Sequence, residues 1–412
     1  MTDIPTTAPA FRSAFRHRSY ALFWSARLGS WLAEQMQAVA VGWQMYELTG
    51  DPLDLGLVGL FQFLPTLALS LVAGQVVDSY DRRRILACAL ALQTAAVGAL
   101  FALTATGAAT PGLIFAVVFA IGLAKAFAGP AQSALISAVV PADDLPNAVA
   151  WNSTAMQTAT IGGPALGGLL YLAGPAVVYG TSTLLLSVAV ILVLALRPRR
   201  VELAARAVSW DSLLAGVSFI RSRPAILGAI SLDMVAVMLG GATALLPVYA
   251  KDILFVGPWG LGLLRSAPAL GALLTAVALA HWSVKRHAGW HLLGAVAAFG
   301  VGTVLFGLST DAVLSGVALF LLGAADEISV FVRQTLIQLA TPDQMRGRVG
   351  AVSGLFIGAS NQLGAFESGL TAAWFGTVPA VVLGGIGSIV VAALWAWRFP
   401  DLRRIDRLLS IR

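Results

Sequence analysis

Arg27, Glu34, Lys125, Asp233, Arg265, Asp326, Glu327, Arg333 and Glu367 stand inside long apolar runs of a 412-residue chain. A charged group costs about 2.5 to 3.5 kcal/mol at the centre of a membrane helix, so these side chains are expected to face a cavity or one another. The chemistry open to them is proton uptake and release, ion pairing and the holding of a charged solute. Glu34 is the first candidate proton carrier. Burial of a carboxyl disfavours its charged form and an approaching cation favours it, which couples protonation to conformation. Arg27 and Trp31 share its helix face, so a static Glu34–Arg27 pair is the competing reading. Asp326 and Arg333 repeat the spacing of that pair. Asp233 and Glu367 are further proton-coupling candidates, and either can instead cap a broken helix. Arg333 can hold an anionic or catecholate-like solute, or neutralise Asp326 or Glu327. Arg27, Trp31, Lys125, Asp326, Glu327, Arg333 and Asn361 are the candidate lining of a substrate cavity.

Long helices must position these groups. The chain is 58% hydrophobic and 11% charged, with mean hydropathy +0.84, against about 25% charged residues in a soluble domain. A bilayer core of about 30 Å takes about 20 apolar residues in helix, and such runs recur throughout. Spans are expected at 20–48, 53–78, 84–107, 111–139, 146–172, 175–196, 224–250, 258–282, 287–310, 312–340, 346–375 and 378–399. Helices are the spanning structure that runs of this length suit. Outside the spans, Lys and Arg gather on the side of the termini, and only Lys251 falls opposite. The positive-inside rule then puts both termini in the cytoplasm of a multi-pass plasma (inner) membrane protein. Arg12, Arg16, His17 and Arg18 precede span one without an apolar core or cleavage site, so no removable signal peptide is expected and span one is expected to direct targeting.

The longest connection divides the chain into an N-terminal six-helix bundle (1–196), a cytoplasmic linker (197–223), a C-terminal six-helix bundle (224–399) and a cytoplasmic tail (400–412). In the linker, Trp210, Leu213, Leu214, Val217 and Ile220 recur at helical spacing beside Asp211 and Arg221, as in an amphipathic surface helix. Sliding one half over the other by 201 positions sets Gly122 on Gly323, Ala124 on Ala325, Leu135 and Ile136 on Leu336 and Ile337, Pro141 on Pro342, Gly163 on Gly364 and Gly168 on Gly369. Small apolar residues also coincide by chance in such a composition. A constant offset through spans four and five favours duplication, and duplicated halves suit a transporter that rocks about a central site.

FRHRSYALFWSARLGSWLAEQMQAVAVGWQMYELTGDPL near the start and TPDQMRGRVGAVSGLFIGASNQLGAFESG near the end carry a resemblance that covers nearly the whole chain. The sequence resembles the major facilitator superfamily, and within it the subgroup that includes the enterobactin exporter. The resemblance implies an all-α membrane protein with twelve transmembrane helices in two pseudo-symmetric six-helix bundles, whose central cavity opens alternately to either side. GQVVDSYDRRR is similar to the family's loop motif G-x-x-x-D-x-x-G-R-[RK]. Gly74, Asp78, Arg82 and Arg83 match, while Asp81 replaces the usual glycine and Ser79 a common arginine. Gly74 would permit close helix approach, and Asp78 would pair with arginines or cap a neighbouring helix when the cytoplasmic side is shut. The arginines also act as topology determinants. Gly163, Pro164, Gly167 and Gly168 in span five resemble the antiporter motif G-P-x-x-G-G, with Ala159 where the motif has an earlier glycine. Lys125 and Gly129 stand where the family has R-x-x-x-G, and a buried lysine, unlike arginine, can deprotonate. Arg346 and Arg348 are expected to serve the gate between spans ten and eleven, with Asp143 and Asp144 as counterparts; two ordinary solvated loops explain them equally well. Trp31, Trp43 and Trp151 can line an aromatic cavity or anchor at the interface.

Several classes are excluded. No G-x-x-x-x-G-K-[ST] suggests ATP hydrolysis, and His17, His281, His287 and His291 lack metal-site spacing, so no enzyme, metal or other cofactor is expected. The sole cysteine, Cys88, excludes an intrachain disulfide and reads as a buried structural thiol. The high pI reflects loops facing anionic lipid rather than nucleic acid. The expected function is proton-coupled export, by alternating access, of a small amphipathic molecule such as a siderophore or drug. Its expected partners are that substrate, protons and membrane lipid, with the chain acting as a monomer. An uncoupled facilitator or importer, and a non-transporting receptor, are the alternatives.

Overall fold

A computed structural model describes residues 13–199, 210–282 and 286–406; for Leu71 and residues 210–213 it describes the backbone alone. Arg12 and linker residues 200–209 lie outside these residues. Among the described residues there is no strand. The membrane helices in chain order are Arg18–Thr49, Pro52–Ser79, Arg82–Ala105, Pro111–Val139, Leu145–Tyr171 and Pro175–Leu194 for spans one to six. Span seven is interrupted. Spans eight to twelve are Gly257–His281, Ala288–Leu308, Ala312–Ala340, Asp343–Phe375 and Thr377–Arg398.

Local chemistry sets the ends. Asp51 accepts from Leu53 N at 2.9 Å and Asp311 from Leu314 N at 2.8 Å, so each satisfies a donor that the first helical turn leaves free. Proline follows Asp51 and Thr110 at the first helical position, where its missing N–H costs nothing. Gly50 closes span one with φ +65°, a left-handed cap that favours glycine. Span seven runs Pro224–Leu239, breaks at Gly240–Gly241, and continues as a 3-10 turn, a short α-turn at Pro247 and a π-turn that ends at Ile253. The span expected at 224–250 is present as Pro224–Ile253, and its helix is interrupted inside because two glycines and a proline remove the ladder that a continuous helix needs.

Nine helices among the described residues are long and apolar enough to cross a membrane. Spans one, five and eleven fall outside that group because polar residues, with charged ones among them in spans one and eleven, lower their mean hydropathy. Their partners shield them: span one packs on five and six, and span eleven on seven, two and the surface helix. The pairings 1–5, 1–6, 2–4, 3–4 and 3–6 recur six helices later as 7–11, 7–12, 8–10, 9–10 and 9–12. Between the halves, span five packs on eight and span two on eleven, and exchanging the halves maps one contact onto the other. This is the architecture of two pseudo-symmetric six-helix bundles.

The surface helix Trp210–Ser222 rests on the start of span eleven. A Cβ on Gly216 would lie 2.9 Å from Arg348 O and 3.0 Å from Val352 Cγ2, and Ile220 joins the buried cluster of Ile226, Ile230, Val349 and Val352. Cys88 is exposed on span three rather than buried. An apolar run places a residue in the membrane without saying whether it faces protein or lipid.

Candidate functional site

Spans one, two, four, seven, eight and eleven enclose a cavity of about 330 Å³. Its wall carries Glu34, Lys125, Arg265 and Asn361 together with Gln35, Gln37, Gln62 and Gln362. Glu34 is paired with Lys125 of span four, and the Lys125 ammonium also donates to Gln62 Oε1 at 3.4 Å. Glu34 thus does not take Arg27 as its partner. Lys125 lies on the facing helix and reaches it, whereas Arg27 turns to Trp31, with its guanidinium carbon 4.2 Å from the ring centroid, and to Phe23 at 5.4 Å. Arg265 enters from span eight and donates to Ala38 O of span one at 3.4 Å, crossing between the halves. It forms no ion pair among the described residues. The cavity therefore holds one neutralised pair and one uncompensated cation, surrounded by carboxamides that both donate and accept.

A second ion pair lies in the other half. Arg333 Nη2 and Asp233 Oδ2 are 3.2 Å apart, with side chains 2% and 6% exposed, against 25% and 30% for Lys125 and Glu34. The Arg333–Asp233 pair is sealed, while the Glu34–Lys125 pair meets the cavity. The expected partner of Arg333, Asp326 or Glu327, is thus corrected to Asp233, because span seven crosses span ten at that level. Arg27, Trp31, Asp326, Glu327 and Arg333 are not part of the cavity wall. Glu367 also lies outside it and accepts from Thr371 Oγ1 one turn on, at 2.8 Å. Neither Asp233 nor Glu367 caps the break in span seven. Arg265 was named only as an intramembrane charge, and the glutamines were missed; their signal was the recurrence of carboxamides inside otherwise apolar runs.

The cavity is sealed toward the face where span one ends. Tyr46 donates its hydroxyl to Asp252, with Lys251 Nζ 5.2 Å from the Tyr46 ring centroid. Ser266 Oγ donates to Ile161 O at 2.7 Å. Gly163 and Gly167 abut span one, where a Cβ on Gly167 would lie 2.9 Å from Met36 Cα, while Pro164 and Gly168 meet Gly262 of span eight. Trp43 packs edge-on against Tyr171 at 6.3 Å and Trp151 against Trp24 at 6.4 Å, so both sit in packed clusters rather than on the cavity wall.

The opposite face, where span one begins, is called the near face below. Among the described residues no hydrogen bond or ion pair joins the halves there. Nothing lies within 4 Å of a Cβ built on Gly74, so the close helix approach expected of it is not made in this conformation. Asp78 has no partner among the described residues. Asp81, in the place of the motif's glycine, caps span three by accepting from Arg83 N at 2.9 Å. Arg346 pairs with Asp343 at 2.8 Å and Arg348 is exposed beside Met345. Asp144 pairs with His17 at 2.7 Å, within its own half. The imidazole of His17 and the hydroxyl of Ser13 hold the Asp144 carboxyl below the usual carboxylate range.

The comparisons with known proteins agree with this architecture. The family described as transmembrane secretion effector matches residues 9–410. The enterobactin exporter of Citrobacter koseri is 26% identical over 407 residues, covering 97% of this chain and 94% of that one. A bacterial homologue of the human lysosomal transporter Spinster, inward-facing and unoccupied, superposes with TM-score 0.74 at 13% identity, covering 94% of this chain and 98% of the other. A D-xylose-proton symporter does so with TM-score 0.68 at 13% identity, covering 92% and 97%. The chain is an integral membrane transporter belonging to the transmembrane secretion effector family of the major facilitator superfamily.

Proposed function

We propose that the chain exports a small amphipathic molecule across the inner membrane in exchange for protons, with siderophores ranking ahead of lipophilic drugs as substrates. The observation that carries this reading is the cavity wall itself. A solvent-facing Glu34–Lys125 pair stands beside the unpaired guanidinium of Arg265 and four glutamines. A proton on Glu34 cancels its charge, so a substrate hydroxyl or cationic group that binds the ionised carboxylate competes with the proton for Glu34, while Arg265 holds the substrate's acceptor groups. Proton and substrate then exclude one another at Glu34, as exchange requires. The likeness to an enterobactin exporter along nearly the whole of both chains supports the export direction. Asp233 is less suited to carry the proton, since Arg333 holds it away from the cavity.

The moving bodies are 1–196 and 224–399, joined by the linker 197–223 and followed by the tail 400–412, and one chain supplies both. The near face is the cytoplasmic one, because the basic loops lie there. The described conformation is then open to the cytoplasm. Closure would bring Gly74, Asp78, Arg82 and Arg83 toward Arg346 and Arg348.

The test uses purified protein in liposomes with a pH-sensitive dye inside, to which enterobactin or tetraphenylphosphonium is added under an imposed proton gradient. Ligand-dependent proton movement that vanishes in Glu34→Gln establishes exchange and places the carrier. Enterobactin flux without proton movement leaves an uncoupled facilitator, the reading favoured if the Lys125 pair is static.

A further inference from the structure

On the near face, the ends of spans two, three, four and six enclose a pocket of about 470 Å³ whose charged lining is Arg82, Arg83, Arg197, Arg199 and Asp81. The carboxylate is already engaged, since Asp81 Oδ1 caps span three through Arg83 N and Arg84 N at 2.9 and 3.3 Å. The guanidiniums are engaged only in part. Arg83 Nη1 donates to Leu196 O at 2.6 Å and Arg82 Nη1 to Ala134 O at 3.4 Å, while the Nε of each is buried without a partner. No carbonyl in reach neutralises these charges. A group with several anionic oxygens would do so, accepting from more than one guanidinium at once.

The pocket has an apolar continuation. Through Tyr80 and Asp81 it meets a second concavity of about 500 Å³, walled by Val76, Ile85, Cys88, Leu92, Leu123 and Phe127 between spans two, three and four. Cys88 and Leu92 are exposed there, on the flank of a membrane helix, at the depth of acyl chains. A cationic pocket opening into an apolar groove has the polarity profile of an amphiphile with an anionic head. Basic pockets between membrane helices bind phosphate head groups by this charge complementarity.

We propose that this composite site binds an anionic phospholipid of the near-face leaflet. Its phosphate lies among Arg82, Arg83, Arg197 and Arg199, and one acyl chain follows Cys88, Leu92 and Phe127. Because two of these arginines belong to the loop motif, a seated head group holds them within their own half and away from the gate.

Cys88 is the chain's sole cysteine, so a bimane attached to it reports on the groove without any substitution. The labelled full-length protein is placed in phosphatidylcholine nanodiscs and titrated with phosphatidylglycerol or phosphatidylcholine carrying the same acyl-chain nitroxide. The anionic lipid is expected to reach half-maximal quenching at a mole fraction at least about fivefold lower, the factor that about 1 kcal/mol from a single guanidinium near the surface supplies. Arg197→Gln/Arg199→Gln should abolish most of that preference and Arg197→Lys/Arg199→Lys keep most of it. Equal quenching by the two lipids in the wild type overturns the proposal, whether or not the variants fold. Loss of the preference in millimolar glycerol phosphate also overturns it, by showing that a soluble phosphate ester takes the site.

Discussion

Gly168 and Gly262 meet backbone to backbone across the seam between the halves: a Cβ on the first would lie 3.0 Å from the Cα of the second, and the reverse gives 3.1 Å. Gly369 meets Gly56 in the symmetry-related place, at 3.1 Å. Pro258 and Pro52 stand four residues before the span-eight and span-two glycines, so one packing device occurs twice. Both copies lie toward the sealed face and hold it shut.

Gly168→Val should leave the bundles folded and weaken that seal. Overpacking costs about 1 to 3 kcal/mol, which lowers the closed-seal population about 5- to 150-fold relative to the alternative state. Electron–electron distances between nitroxides at Leu172→Cys and Phe255→Cys, in a Cys88→Ser background, should lengthen. An unchanged distribution would show that the glycine contact does not control the seal.

Arg265→Gln removes the uncompensated cation of the cavity. A hydrogen bond to a charged group contributes about 1.5 to 3 kcal/mol, so 2,3-dihydroxybenzoate should bind about 10- to 100-fold more weakly by titration calorimetry. Tetraphenylphosphonium should bind no worse. Equal losses for both ligands would point to collapse of the cavity instead.

Asp233→Asn removes the carboxylate in contact with buried Arg333, and breaking such a pair costs about 3 to 5 kcal/mol. Thermal melting in detergent should fall well below that of the wild type. Asp233→Leu/Arg333→Met, which removes both charges, should regain most of the loss. A double variant as unstable as the single one would mean that the pair's geometry, beyond its neutrality, is required.

Asp144 predicts an acid-side loosening of the segment before span one. Its carboxyl is held below the usual range by His17 and Ser13, so the contribution is present above the ordinary carboxylate range and is lost as pH falls through the depressed value. Protection of residues 13–20 against hydrogen exchange, relative to the intrinsic rate at each pH, should fall on acidification in the wild type. In Asp144→Asn that protection should be low already at neutral pH and show little further change.

Much of the architecture was legible in the chain itself. Hydropathy and length located the helices to within a few residues, because an unsatisfied backbone in lipid leaves few alternatives. The matching of Gly163 with Gly364 and Gly168 with Gly369 marked the repeat, since close backbone contact admits no Cβ. The charged positions inside spans also stood out, for their insertion cost demands a reason.

Pairing was decided only by the tertiary structure. Spacing along one helix suggested Glu34 with Arg27 and Asp326 with Arg333, whereas the folded chain joins Glu34 to Lys125 and Asp233 to Arg333, each across two helices. An ion pair in an apolar medium forms with whatever cation the neighbouring helix brings within reach, and helical periodicity is silent about neighbours. The same limit hid the outward face of Cys88, the break in span seven, and the matching of Pro52 and Gly56 with Pro258 and Gly262, whose offset differs from that of spans four and five. A sequence states which residues the membrane must tolerate; only the packing of helices states which of them face lipid, which face each other and which are left to face a substrate.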